Sequence, residues 1–125
     1  MGAKVILVVE SDLDTRNGLF DLLGSEGHLV FEAGNADDAK KILAATPIVN
    51  FVLANLGVSD CAASGEIVDQ IRLIRPDVPI LLISASQSLY ATAEKHRVSA
   101  IKKPFRVEQL LEAIDDEDLN SRNLP

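Results

Sequence analysis

The amino-acid sequence predicts an α/β domain of the doubly wound class, (βα)5, with a parallel sheet in the strand order 2-1-3-4-5. Short apolar runs recur along the chain, Val5 to Val9 (VILVV), Phe51 to Leu56 (FVLANL) and Ile80 to Ile83 (ILLI). Runs of this length bounded by turn-formers read as strands buried on both faces, as a parallel sheet covered by helices demands. Between them the apolar spacing switches to i, i+3, i+4, and the connections are a few residues long. Strands alternating with helices make βαβ units, and right-handed crossovers then favour this order.

After Val9 the chain turns polar at Glu10, Ser11 and Asp12, so the first strand stops there. From Thr15, Leu19, Leu22 and Leu23 mark the inner side of a helix, with Asp12 or Asp14 placed to cap it and Gly27 to end it. His28 to Ala33 reads as the second strand. Asn35 caps a helix from Ala36 to Ala45 whose apolar side is Ala36, Ala39, Ile42 and Leu43, and Thr46-Pro47 closes it. The central strand ends near Asn55. A loop of small and polar residues, Gly57 to Ser64, leads to a helix over Gly65 to Arg75 with Ile67, Ile71 and Ile74 on one face. The fourth strand ends on Ser84. A weaker helix follows, Ser88 to His96, with Leu89 and Ala93 inward and Thr92 and Lys95 outward. Ser99 to Lys102 is a brief last strand before Lys103-Pro104-Phe105. The final helix, Arg106 to about Asp118, turns Val107, Leu110, Leu111 and Ile114 to the core. Residues 1–119 read as one domain and 120–125 as a flexible tail.

Composition narrows the function. With 125 residues, 47% of them hydrophobic, a single domain buries an adequate core without staples. No apolar run has the length of a membrane span and Met1 to Ser11 lacks a signal-peptide layout, so a cytoplasmic location is expected. The single cysteine, Cys61, offers neither an internal disulfide nor a metal cluster. His28 and His96 stand far apart and belong to no ligand constellation. A formal charge of −7 argues against direct contact with nucleic acid.

In the expected strand order, Glu10-Ser11-Asp12 and Asn55 meet at the switch point between the first and third strands, and Ser84 and Lys103 reach the same carboxyl edge. Their convergence on one cleft is the chief functional signal.

These residues resemble the receiver domain of two-component response regulators, a flavodoxin-like fold. An acidic cluster after the first strand (Glu10-Ser11-Asp12), a polar residue ending the third (Asn55), a hydroxyl and a small residue after the fourth (Ser84-Ala85), and Lys103-Pro104-Phe105 after the fifth match in order and spacing over most of the chain. The resemblance implies a phosphoacceptor position at Asn55, a Mg²⁺-holding acidic pocket at Glu10, Ser11 and Asp12, phosphoryl recognition by Ser84 and Lys103, a switch aromatic at the position of Ala100, and a cis Lys-Pro bond.

Departures from that pattern decide the reading. Asn55 is an amide, neutral and delocalised, where an attacking carboxylate is required. Ser11 replaces the second acid, so two carboxylates are missing from the Mg²⁺ cage, and Mg²⁺ dehydrates only for a near-ideal oxygen set. Asp12 and Glu10 remain as weak metal candidates. The loop after the third strand lacks the usual proline, and Ala100 is not aromatic. The sequence therefore reads as a degenerate, or pseudo-, receiver: a non-enzymatic signalling module working by protein contact, with no cofactor and weak or absent Mg²⁺ binding. Lys103 is expected to donate to Glu10 or to the Asn55 amide oxygen. The expected contact surface is the fourth helix, fifth strand and fifth helix; a histidine kinase, an output domain or a second copy are the candidate partners. The acids Asp115 to Asp118 offer a guide for a basic partner. Two other classes stay open: phosphotransfer through Asp12 or another nearby acid, and a small-molecule or anion sensor, against which stands the absence of a Gly-rich turn after the first strand.

Overall fold

Strand and helix alternate throughout the computed structural model, which describes residues 2–56 and 61–116, the side chains of 61–64 excepted. In chain order they are β1 (Val5–Val9), α1 (Leu13–Ser25), β2 (Leu29–Ala33), α2 (Ala36–Ala45), β3 (Phe51–Asn55), α3 (Cys61–Ile74), β4 (Ile80–Ser84), α4 (Leu89–His96), β5 (Ser99–Lys102) and α5 (Val107–Asp115). The strands pair in parallel in the order β2-β1-β3-β4-β5, as the apolar runs predict.

Side-chain alternation splits the strands between two apolar layers. Leu7, Val9, Val52, Ala54, Ile80 and Leu82 face one side, where Ala39 and Leu43 of α2, Val68 and Ile71 of α3, and Leu89 and Ala93 of α4 cover them. Ile6, Val8, Phe51, Leu53, Leu81 and Ile83 face the other, under Leu19 and Leu23 of α1 and Leu110 and Ile114 of α5. Each large apolar side chain so buried contributes about 1.5–3 kcal/mol before entropy is subtracted. Every residue of β3 and β4 is buried, which explains the unbroken apolar runs Phe51–Ala54 and Ile80–Ile83 within them.

Local chemistry sets the ends of the helices. Asp12 caps α1 by accepting from Thr15 N at 2.9 Å, and Asn35 caps α2 by accepting from Asp38 N at 2.8 Å. Gly27 takes φ +93°, a left-handed turn that only glycine adopts freely, as the chain leaves α1 for β2. Arg97 closes α4 with φ 58°, and Val98 N then reaches back to Ala93 O at 3.0 Å. Lys103-Pro104 is cis.

Three boundaries and one side-chain orientation differ from expectation. α1 begins at Leu13, before the apolar stripe starts, because its cap is Asp12. α3 begins at Cys61 rather than Gly65; its first turn is built of small residues that show no apolar periodicity. α5 ends at Asp115, where the acidic run begins. Val107 is 44% exposed instead of inward, while Leu110 and Ile114 of the same helix are buried. Readings placed on residues 57–60, on the side chains of 61–64, Cys61 included, and on residues 117–125 lie outside the described residues. Among the described residues no helix is long and apolar enough to cross a membrane.

Candidate functional site

The carboxyl ends of β1 and β3 are adjacent, with Val9 level with Ala54, so Glu10 and Asn55 emerge side by side. Both are buried, at 7% and 5% exposure. Asn55 Nδ2 donates to Glu10 Oε1, while Glu10 Oε2 accepts from Asp12 N at 2.8 Å. A carboxylate only accepts, so the amide must turn its nitrogen toward Glu10. Its oxygen, Oδ1, is then buried without a hydrogen-bond partner among the described residues. Such an orphan acceptor costs about 1–3 kcal/mol. Beyond Asn55, Leu56 N donates to Ile83 O at 2.8 Å and continues the ladder to β4.

A cleft of about 350 Å³ lies beside this pair. Glu10, Ser11 and Asn55 line it from the sheet edge, Asn35 from the turn before α2, and Glu66 and Gln70 from α3. Val9, Leu56 and Ile67 supply apolar walls. Glu66 and Gln70 stand one helical turn apart and are joined at 3.2 Å. The pattern of apolar residues gave no reason to single them out; an i, i+4 polar pair on the inner rim of α3 was the available signal.

The structure divides the residues expected in one cleft. Ser84 and Lys103 stand at the same carboxyl edge of the sheet but do not line the cleft beside Glu10 and Asn55. Ser84 is 2% exposed, and its hydroxyl oxygen accepts from Ser86 N at 3.1 Å to form the turn into α4. Lys103 donates neither to Glu10 nor to the Asn55 oxygen; Nζ reaches the Leu56 carbonyl at 3.2 Å. The ammonium is thus spent on the backbone beside Asn55. Ala100 lies farther back on β5, against the layer that carries α4.

Asp12 belongs to helix α1 more than to the cleft. Its Oδ2 accepts from Thr15 Oγ1 at 2.7 Å as well as from Thr15 N, and these bonds, with help from the nearby Arg16 charge, hold its carboxyl below the usual aspartate value of 3.8. Arg16, not singled out from sequence, braces the site from behind. Its NH1 donates to Glu10 O at 2.7 Å and its Nε lies 3.6 Å from Glu32 Oε1. A side chain at Gly34 would meet that guanidinium at 3.1 Å, so the small residue leaves room for the brace.

The two histidines are structural. His28 Nδ1 accepts from Lys4 N at 3.0 Å. His96 Nδ1 lies 3.2 Å from Asp69 Oδ1, and Arg72 NH1 donates to His96 O at 3.0 Å, which ties α3 to the end of α4.

Solved structures share this architecture. A CheY-like receiver domain protein from Methanospirillum hungatei aligns over 98% of this chain and 100% of its own, with a TM-score of 0.78 and 20% identity. The fold is that of a response-regulator receiver domain. A second structure with this receiver fold, from Pseudomonas putida, aligns over 94% of the chain and 99% of its own, with a TM-score of 0.81 and 21% identity. Among curated proteins, the DNA-binding transcriptional regulator NtrC of Azospirillum brasilense is 29% identical over 132 residues, covering all of this receiver fold. The chain spans 26% of the length of that regulator. No family model matches the chain.

The donor set fits Mg²⁺ poorly. Two of the positions that would supply carboxylates hold Ser11 and Asn55, and both oxygens of Glu10 already accept hydrogen bonds. Among the described residues no three His, Cys, Asp or Glu side chains are grouped to hold a metal ion. A divalent ion here would share Glu10 with the Asn55 amide and with Asp12 N, and would find one carboxylate where an octahedral oxygen set calls for more.

Proposed function

We propose that the chain is a degenerate receiver: a non-enzymatic module of two-component signalling that acts by binding other proteins, without phosphorylation at Asn55. The observation that carries the reading is the Asn55 to Glu10 hydrogen bond. At the place where a receiver needs a free carboxylate beside a metal, this chain has an amide that donates to the remaining acid. Both Glu10 oxygens and the Asn55 amide nitrogen have partners without an ion, which favours one arrangement of the pocket.

Phosphotransfer through Asp12 is disfavoured by its commitment to Thr15. An anion ligand is disfavoured by the cleft lining, which carries two carboxylates, Glu10 and Glu66, and no Lys or Arg among the described residues. The proposed partners are a kinase or an output domain, engaged through α4, β5 and α5. Support for that face is its exposed apolar and charged side chains, Tyr90 at 54% and Val107 at 44% among them.

The test is an NMR titration of the labelled domain with Mg²⁺ and then beryllofluoride. The expected result is no saturable shift at Glu10, Asn55, Ser84 or Lys103. A saturable response there, or phosphate appearing on any carboxylate with acetyl phosphate and Mg²⁺, refutes the reading.

A further inference from the structure

The charge of this chain is unevenly placed. Five of its twelve Lys and Arg residues stand between positions 95 and 106, a span with no Asp or Glu, although acids outnumber bases overall by nineteen to twelve. In the fold these residues run from the end of α4 along β5 to the start of α5. Lys95, Arg97, Lys102 and Arg106 are exposed, and none forms an ion pair among the described residues. Among the described residues β5 is an edge strand, so this basic strip borders backbone that no described strand covers.

A groove of about 300 Å³ lies within the same region, between α4 and β5. Tyr90, Ala93 and Glu94 line it from the helix, and Val98 and Ala100 from the strand. Ala93 and Ala100 are short on facing walls, which leaves the space, while Tyr90 keeps half its surface free at the rim. By strand alternation Lys102 lies on the same face of β5 as Ala100, and Arg97 immediately precedes Val98. The two cations bracket the strand wall, and Glu94 is the one acid on the lining.

We infer that this groove docks an acidic segment of a partner protein, with one aromatic side chain seated between Ala93 and Ala100. The inference rests on the reading of the chain as an interaction module and names the kind of partner that module takes. An aromatic anchor buries about 150–250 Å² and fills a space that Ala100 leaves open. Flanking acids meet Arg97 and Lys102, while the remaining acidic surface of the chain repels them, so charge guides the segment to β5 and away from the other faces.

The experiment selects binders from a random dodecapeptide library displayed on phage, using the intact folded domain as bait, and measures the enriched peptides by fluorescence anisotropy and NMR shift mapping. The expected peptides are acidic and carry an aromatic residue. They shift Tyr90, Val98, Ala100 and Lys102, lose affinity as salt rises, and bind Ala100→Phe and Lys102→Glu about tenfold more weakly. Lys102 is exposed, so the second variant keeps the fold even if the first does not. Basic or aromatic-free consensus sequences, no enrichment, or equal binding to both variants overturns the inference. Acidic peptides that map instead to α1 or α2 overturn the groove while sparing the interaction module. Self-association abolished by Lys102→Glu assigns the groove to a second copy and also overturns the acidic partner. The beryllofluoride titration fails or succeeds independently of all these results.

Discussion

Asn55 gives its amide nitrogen to Glu10 at the meeting of β1 and β3, and both side chains are almost wholly out of solvent. Replacing the amide with a carboxylate, Asn55→Asp, converts a donor facing an acceptor into two acceptors of like charge. Burial and repulsion raise the introduced carboxyl above its unfolded value, so the penalty is absent at low pH and grows as pH rises through the unfolded value. The variant should lose about 2–4 kcal/mol at neutral pH and much less near about pH 4. Urea denaturation across pH measures this; an equal loss at both ends would mean that charge is not the cause.

Gly65 and His96 make a second testable pair. A Cβ on Gly65 would stand 2.5 Å from His96 Nε2, and the ring is held on its other side by Asp69. Gly65→Ala gains about 1 kcal/mol of helix propensity but meets an overpacking cost of roughly 1–3 kcal/mol. It should therefore be neutral to destabilising in the native background. With His96→Ala the obstruction is gone, and the same change should stabilise. The double-mutant cycle reads the reversal of sign, and simple additivity would exclude the contact.

Asp12 supplies a pH-dependent cap. Its carboxyl is lowered in the folded state, chiefly by the Thr15 hydroxyl and amide, so its contribution is complete above the unfolded value and is lost as pH falls through the folded one. Asp12→Ala should lower the thermal midpoint at neutral pH. The gap between variant and parent should close on acidification below the ordinary aspartate range, and a gap independent of pH would count against the cap.

Lys103 holds the Leu56 carbonyl. Lys103→Met should cost about 1 kcal/mol, the scale of one hydrogen bond to a charged donor after its exposure is allowed for. Amide exchange should accelerate at Leu56 and Asn55 ahead of the rest of β3. Unchanged exchange would show that the ammonium spends its time in water.

The sheet was legible because burial on both faces writes an unbroken apolar run, as in Phe51 to Ala54 and Ile80 to Ile83. Glu10 and Asn55 could be paired from sequence because strand order alone makes their chain positions neighbours. What lay beyond reach depended on side-chain direction or on how a helix sits. Lys103 has a long flexible stem, and the carbonyl it finds is invisible in a residue pattern. Glu66 and Gln70 enter the cleft only through the docking of α3, whose first turn of small residues gave no periodicity to fix its start. Val107 matched the inward spacing of α5 yet is exposed at the first residue of that helix.

The bond from Leu56 N to Ile83 O has a chemical outcome of its own. An asparagine deamidates when the next residue's backbone nitrogen attacks the side-chain carbonyl carbon and closes a five-membered imide. Here that nitrogen has its hydrogen engaged with Ile83 O, and Asn55 is itself held in β3, so closure of the imide is opposed. Conversion of this amide to a carboxylate is thereby slowed in the folded protein. The pocket's identity is written at translation and protected by the neighbouring strand for as long as the sheet stays closed.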